Sequence, residues 1–290
     1  MNVYLEAARP KTLTAAVAPV AVGTAAASTF VAWRALGALV VAVSVQVAVN
    51  YANDYFDGVA GVDTEARVGP RRAVASGLIE PRAMKRAIGV SLVVTAVAGL
   101  ALAAATTWWL VAVGGLCFLA ALGYSGGPKP YASLALGELF VFVFFGLVAT
   151  VGSAYVQDER IVRTAVIAAF PVGFFAVAIL VANNLRDIPT DGPAGKRTLA
   201  VVLGDGATRQ LFLLLFVLAF AFLGVISLSA GSLWPLLALV AVPLSARPLE
   251  LVRNGAEGPE LIEVLAGTAR VQLVFSLALT VGLVVGNLTS

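Results

Sequence analysis

Seven stretches of this 290-residue chain run for 19 residues or more without a charged side chain: 12–33, 35–53, 87–128, 139–157, 164–185, 210–246 and 271–290. A helix needs about 20 apolar residues to cross the hydrocarbon core of a bilayer. The runs at 87–128 and 210–246 are long enough for two crossings each, with turns expected near 105–107 and 229–233. The sum is nine helices. No segment carries the long alternation of a barrel strand, and backbone in lipid must satisfy its own hydrogen bonds, so an all-α polytopic membrane protein is expected. Composition agrees: 60% of residues are apolar and 12% charged, against roughly 25% charged in a soluble domain. A water-soluble globule and a disordered chain are excluded. So is a disulfide scaffold, since Cys117 is the single cysteine, read as a small apolar filler of the fourth helix. With no His in the chain, His-ligated metals, a Ser-His-Asp triad and a His proton shuttle are excluded as well.

Lys and Arg set the orientation. With the N-terminus in the cytoplasm, 16 of the 19 basic residues fall on inner segments, leaving Arg34, Arg160 and Arg163 outside. Trp33, Trp108, Trp109 and Trp234 then all fall at outer helix ends, as an interfacial belt requires. The expectation is one domain over 1–290, integral to the plasma membrane, with the C-terminus outside. No cleavable signal peptide and no nucleic-acid partner are expected.

An internal repeat is visible. After the second helix the chain reads Asp57-Gly58-Val59-Ala60-Gly61-Val62-Asp63-Thr64, and after the sixth Asp191-Gly192-Pro193-Ala194-Gly195-Lys196-Arg197-Thr198. Five of eight positions match at an offset of 134, and Asn50 pairs with Asn184 at the same offset. Both helices run from outside to inside. This predicts parallel pseudo-repeats over about 12–130 and 134–250, a ninth helix at about 268–288, and a central cavity between them.

Both repeats end in polar clusters. Steps of four, three and four put Gln46, Asn50, Asn53 and Asp57 on one helical face, with Asp54 beside it and Asp63 in the loop. On the sixth helix Asn183, Asp187 and Asp191 are spaced by fours. Pro189 disfavours helix at Ile188, so this helix is expected to end after Asp187. Such stripes must face the bundle or a wet cavity, and they need a partner: a cation, basic side chains or water. Carboxylate oxygens without His or Cys suit Mg²⁺ better than zinc or copper, and Mg²⁺ commonly bridges carboxylates to substrate phosphates. Arg67, Arg71 and Arg72 follow the first cluster, and Arg186, Lys196 and Arg197 surround the second. These cations are needed too, because the carboxylates and a diphosphate together outweigh two Mg²⁺.

The paired motifs Asn53-Asp54-x-x-Asp57 with Asp63, and Asp187-x-x-x-Asp191 with Lys196, resemble those of the UbiA superfamily of intramembrane prenyltransferases. The segments Arg67-Val68-Gly69-Pro70-Arg71, Tyr124-Ser125-Gly126-Gly127-Pro128, Leu136-Gly137-Glu138 and Gly195-Lys196-Arg197-Thr198-Leu199 resemble the branch that prenylates 1,4-dihydroxy-2-naphthoate in menaquinone synthesis. That resemblance implies transfer of a polyprenyl group from polyprenyl diphosphate to the naphthoate ring, with loss of CO₂ and diphosphate, giving demethylmenaquinone. It implies that Asp54, Asp57, Asp187 and Asp191 hold Mg²⁺, with Asn53, Asp63 and Asn183 in support. Arg67, Arg71, Lys196 and Arg197 then fall to the diphosphate. Lys129, Tyr131, Tyr124 and Glu138 flank the turn between the fourth and fifth helices on the same inner face. Lys129 or an Arg would hold the acceptor carboxylate. The tyrosines also read as interfacial anchors, and Glu138 as a complement to a helix N-terminal dipole. An isoprenoid tail costs about 0.8 kcal/mol per CH₂ moved into water, so the cavity is expected to open sideways to lipid. Branches with 4-hydroxybenzoate, haem or a phosphorylated sugar as acceptor, and a cation-coupled anion transporter, remain as alternatives.

Overall fold

The computed structural model describes residues 2–60, 72–125 and 130–289, with the backbone alone for Lys11, Asp57, Ala60 and Ser125. The fold is all-helical. A short α1 (Val3–Ala7) and a 3₁₀ turn (Pro10–Thr12) precede α2 (Thr14–Ala26), α3 (Ala32–Ala60), α4 (Pro81–Ala105) and α5 (Trp109–Ser125). The next span is composite: α6 (Gly137–Val141), a π-helical segment (Phe142–Val148) and α7 (Ala149–Asp158). Then come α8 (Arg163–Asp191), α9 (Leu199–Leu203), α10 (Asp205–Ala230), a 3₁₀ stretch (Trp234–Ala241) running into α11 (Val242–Arg253), and α12 (Pro259–Thr289). Both long charge-free runs break where expected, after Ala105 and after Ala230. Among the described residues seven spans are long and apolar enough to cross a membrane, whereas α2 and α5 are apolar but shorter.

The most enclosed of these spans is α8. Its Phe175 ring meets Phe216 of α10 at 5.3 Å and Phe275 of α12 at 5.0 Å between centroids. Lipid is as apolar as these side chains, so close packing rather than water exclusion must hold the helices together. One contact makes this plain. A Cβ on Gly146 would lie 2.8 Å from the Cα of Gly173, so the π-helical segment and α8 touch backbone to backbone.

The two ends of the bundle, labelled outer where α7 ends and inner where α8 ends, are built differently. At the outer end the Asp158 carboxylate accepts the Ser28 and Thr29 backbone N–H groups, both at 2.9 Å, and both hydroxyls. Arg34 donates to the carbonyls of Val156 (3.0 Å) and Ala105 (3.1 Å) and pairs with Glu159 (2.9 Å). Together these tie α7 to the α2–α3 loop and to α4. At the inner end Tyr51 donates to the Tyr4 carbonyl (3.0 Å) and Asn50 to the Ala8 carbonyl (2.8 Å), strapping the N-terminal segment onto α3.

One expectation is corrected here. α8 does not stop after Asp187 but continues through Pro189 to Asp191. Proline removes a single donor, and the chain closes again beyond it: Gly192 donates to the Ile188 carbonyl and Ala194 to that of Thr190, both at 3.3 Å. Asp187 and Asp191 therefore share one helical face.

Candidate active site

α2, α3, α4, α5, the composite span and α8 enclose a cavity of about 1060 Å³. Its outer reach is apolar, ending near Trp109 and Val156. Its inner end is polar. Arg9, Thr12, Gln46, Asn50, Asn53 and Arg72 line one side; Asn183, Asn184, Asp187, Asp191, Lys196 and Thr198 line the other.

The 134-residue offset of the two loops also relates positions on this wall. Ala42, Val45, Gln46, Val49, Asn50 and Asn53 of α3 face the cavity, and so do Ala176, Ile179, Leu180, Asn183, Asn184 and Asp187 of α8. Each pair is separated by 134 residues, as in 187 − 53 = 134. On this register Asn53 corresponds to Asp187, Asp57 to Asp191, and Asp54 to the apolar Ile188.

Asp54 is where expectation and structure part. It was expected among the metal ligands. Its side chain is buried, with the residue only 2% exposed, and lies off the cavity wall. Its oxygens accept the N–H groups of Ala73 (2.9 Å) and Val74 (2.8 Å). A carboxylate satisfies two such orphan donors strongly. It thereby fixes a turn that closes through Ser76 N–H to the Arg72 carbonyl (3.0 Å) and Ile79 N–H to the Ala73 carbonyl (3.0 Å). The turn holds Arg72, 8% exposed, on the cavity wall. Asp57 has its side chain outside the described part of the molecule, and Asp63, Arg67, Arg71 and Lys129 lie outside the described residues.

On the other side Asp187 is 7% exposed and faces the cavity. Arg186 grips it bidentately from behind, Nε to Oδ1 at 2.7 Å and Nη2 to Oδ2 at 2.8 Å, and also donates to the Asn183 Oδ1 at 2.9 Å. Gly195 takes a left-handed turn (φ +74°), a conformation only glycine adopts without strain. The Lys196 N–H then returns to the Asp191 carbonyl at 2.9 Å, which sets Lys196 on the cavity wall beside that acid. Arg197 departs from expectation. Its side chain is exposed and off the cavity, while its backbone bridges Leu134 and its carbonyl accepts the Ala135 N–H at 2.9 Å.

The tyrosines flanking the α5–α6 turn do line the cavity. Tyr131 donates its hydroxyl to the Ala120 carbonyl at 2.8 Å, and burial pushes its phenol well above the ordinary tyrosine range. Glu138 does not reach the cavity. It is buried behind Asn184, whose amide nitrogen donates to it at 2.9 Å. Asn50 and Asn184, equivalent in the repeat, are thus both oriented from behind, one by the N-terminal strap and the other by Glu138.

Arg9, Thr12 and Thr198 also line the polar end and carried no assigned role in the sequence. Arg9 adopts a left-handed backbone (φ 52°), held by its carbonyl accepting the Thr12 N–H and hydroxyl, both at 2.9 Å. A non-glycine residue in that region stores strain, which clusters at functional sites. No pattern in the chain marks this conformation.

The donor set suits a hard cation: among the described residues the polar end offers carboxylate and amide oxygens. Among the described residues no three acidic, His or Cys side chains come together as a metal site.

Comparison with known proteins meets this geometry. The chain is 46% identical over 289 residues to the 1,4-dihydroxy-2-naphthoate octaprenyltransferase of Mycobacterium tuberculosis, covering 99% of this chain and 98% of that one. The fold matches a UbiA homologue from Aeropyrum pernix (TM-score 0.72, 16% identity, 92% of this chain and 97% of the other). It also matches one from Archaeoglobus fulgidus bound to GPP and Mg²⁺ (TM-score 0.65, 15% identity, 97% and 99%). Residues 16–254 match the family model described as the UbiA prenyltransferase family. With one cavity that is polar at one end and apolar over the rest, and this match across most of its length, the chain belongs to the UbiA prenyltransferase family.

Proposed function

We propose that the protein transfers a polyprenyl group from polyprenyl diphosphate to 1,4-dihydroxy-2-naphthoate, releasing CO₂ and diphosphate and yielding demethylmenaquinone in its hydroquinone form. The observation that carries this reading is one cavity with a mixed acidic and basic inner mouth and an apolar remainder reaching the outer end. Such a slot suits a charged diphosphate head on a tail that stays in lipid. Near-full-length similarity to a named naphthoate prenyltransferase supports the acceptor.

In this reading Asp187 and Asp191, with Asn53 and Asp57 across the cavity, hold Mg²⁺, and Asn183 supports Asp187. The ion, when bound, neutralises the leaving diphosphate. The protein's own groups do the rest. Lys196 and Arg72 reach diphosphate oxygens, joined by Arg67 and Arg71 from outside the described residues. Preorganised cations aimed at charge that develops on the leaving group lower the ionisation barrier. The allylic C–O bond breaks with its electron pair going to diphosphate, and the electron-rich ring supplies the pair for the new C–C bond. Forming that bond at the carboxylate-bearing carbon lets CO₂ depart and return its bonding pair to the ring, restoring aromaticity without a strong base. Asp54 serves as a positioning residue for Arg72, and Arg186 as one for Asp187.

We further read α2 and α5 as crossing segments, giving nine in two parallel repeats plus α12. The N-terminus and polar mouth then face the cytoplasm of the plasma membrane and the C-terminus lies outside. The basic bias of the inner segments supports this, as do the exposed Trp33, Trp108, Trp109 and Trp234 at the opposite end.

The test is purified protein with polyprenyl diphosphate, dihydroxynaphthoate and Mg²⁺, with and without EDTA. A prenylated, decarboxylated product formed only without chelator is the expected result. Product from 4-hydroxybenzoate alone would move the protein to another branch, and no metal-dependent product from any acceptor would reject prenyl transfer.

A further inference from the structure

Resting on the prenyl-transfer reading, the geometry points to the seat of the acceptor ring: a row of aromatic side chains on the cavity wall, Tyr131 from the turn before α6, Phe140 from α6 and Phe144 from the π-helical segment. All three line the cavity. Tyr131 and Phe140 stack at 4.2 Å between centroids with 25° between planes, and Phe140 and Phe144 follow at 5.9 Å and 28°. Tyr124 meets Tyr131 edge-on at 5.5 Å. The row starts beside the catalytic mouth, because Leu134, three residues after Tyr131, bridges Arg197, the neighbour of Lys196.

The chemistry of this row selects its occupant. Tyr131 covers one face of the Phe140 ring at 4.2 Å, while Phe144 lies offset at 5.9 Å, so the Phe140 edge is among the ring surfaces left to line the cavity. A ring edge carries the positive part of the aromatic quadrupole. It repels an allylic cation and attracts the electron-rich face of a planar dihydroxyaryl ring. Tyr131 cannot swing away, since its hydroxyl is fixed to the Ala120 carbonyl on α5. Its phenol, pushed up by burial, keeps its proton, so it contributes a ring wall and not a base.

The π-helical segment Phe142–Val148 is the second observation. Such segments are rare inside α-helices and concentrate at functional sites. This one serves two surfaces at once. Gly146 seats against Gly173, and Phe142 stacks on Phe174 of α8 at 5.5 Å, while Phe144 stays in the aromatic row. Its register therefore sets the gap into which a ring must slide, and a two-ring acceptor covers more of the row than a one-ring acceptor.

The experiment compares wild type with Phe140→Leu and Phe140→Tyr at saturating polyprenyl diphosphate and Mg²⁺. An aromatic pair is worth about 0.5–1.5 kcal/mol beyond its area. Phe140→Leu should therefore raise the KM for dihydroxynaphthoate about tenfold, leave kcat and the KM for polyprenyl diphosphate within about twofold, and narrow the preference over 4-hydroxybenzoate. Phe140→Tyr should restore the acceptor KM. An unchanged acceptor KM, or an equal rise in the KM for the diphosphate, overturns the assignment. Excising Val143, which takes the additional residue out of the π turn, should shift acceptor preference with diphosphate binding retained; if that variant does not fold, Phe144→Leu carries the same expectation as Phe140→Leu. Should wild type not prenylate dihydroxynaphthoate at all, the reaction reading fails on its own. Calorimetric binding of dihydroxynaphthoate, expected to weaken about tenfold in Phe140→Leu, still tests the seat.

Discussion

The inner ends of α3 and α8 are equivalent by register and unequal in use. Both present the same six-position face to the cavity, 134 residues apart. Yet α8 carries an aspartate, Asp187, where α3 carries Asn53, and α3 carries a buried aspartate, Asp54, where α8 carries Ile188. The Asp187 carboxylate meets the cavity with Arg186 locked behind it. The Asp54 carboxylate points away and is spent on two backbone N–H groups. The lesson is that a motif acid is assigned by where its helical face points and by which donors reach it first. The acid-rich spelling of Asn53-Asp54-x-x-Asp57 hides a division between one position that faces the cavity and one that holds the fold.

The largest effect that would break this comparison comes from the α8 acids. Asp187→Asn and Asp191→Asn should each lower kcat by about 100- to 1,000-fold, the range seen when one preorganised electrostatic group is removed. The proteins should remain folded, and chelation of Mg²⁺ should silence wild type alike; near-normal turnover in either variant would remove that residue from the metal set. Asp54→Asn comes next and should behave differently in kind. Leaving a buried backbone donor badly served costs about 1–3 kcal/mol, so thermal stability should fall and the KM for polyprenyl diphosphate should rise as Arg72 loses its support. The Mg²⁺ concentration for half-maximal rate should not move. If it rises as in Asp187→Asn, with stability untouched, the division drawn above is wrong.

A smaller effect separates the two asparagines. Asn50 leans on the N-terminal strap and Asn184 on Glu138. Glu138→Gln keeps an acceptor for the Asn184 amide but loses charge assistance, worth about 1 kcal/mol, so kcat/KM should fall by roughly fivefold. Glu138→Ala should fall further. Equal, severe losses in both would instead give Glu138 a direct role in the chemistry. The smallest effect concerns pH. Above roughly pH 10 the unfolded Tyr131 phenol ionises while the folded one, its pKa raised by burial, keeps its proton. The folded state then binds more protons, so stability present below that pH is lost as pH rises. Tyr131→Phe should flatten this alkaline decline in thermal-unfolding midpoints.

Much of this was legible in the chain. Charge-free runs locate the spans, because lipid tolerates few ionisable groups and each gap between charges marks a crossing. The matching loops at Asp57–Thr64 and Asp191–Thr198 give an offset of 134 residues, and the same offset relates the cavity-facing positions of α3 and α8. Other features were not legible. α8 continues through Pro189 because Gly192 and Ala194 recover carbonyls beyond it, a matter of local closure that proline's propensity does not encode. Arg197 looked like a diphosphate contact beside Lys196, but its carbonyl is taken by the Ala135 N–H from a loop more than 60 residues away. Arg9 acquires its left-handed backbone from Thr12 and the strap on Asn50.

What the sequence determined by itself is the membrane setting, the helical class and the mixed acidic and basic composition of the segments that form the mouth. These follow from single segments: apolar length, the cost of charge in lipid, and which side chains the chain carries there. What only the tertiary structure decided is which of two adjacent residues, Asn53 or Asp54, meets the cavity, which cations line the wall, and that Tyr131, Phe140 and Phe144 form one aromatic row. Those outcomes depend on donors and surfaces brought from distant parts of the chain, and a hydrogen bond or a ring stack goes to the group that arrives with the right geometry.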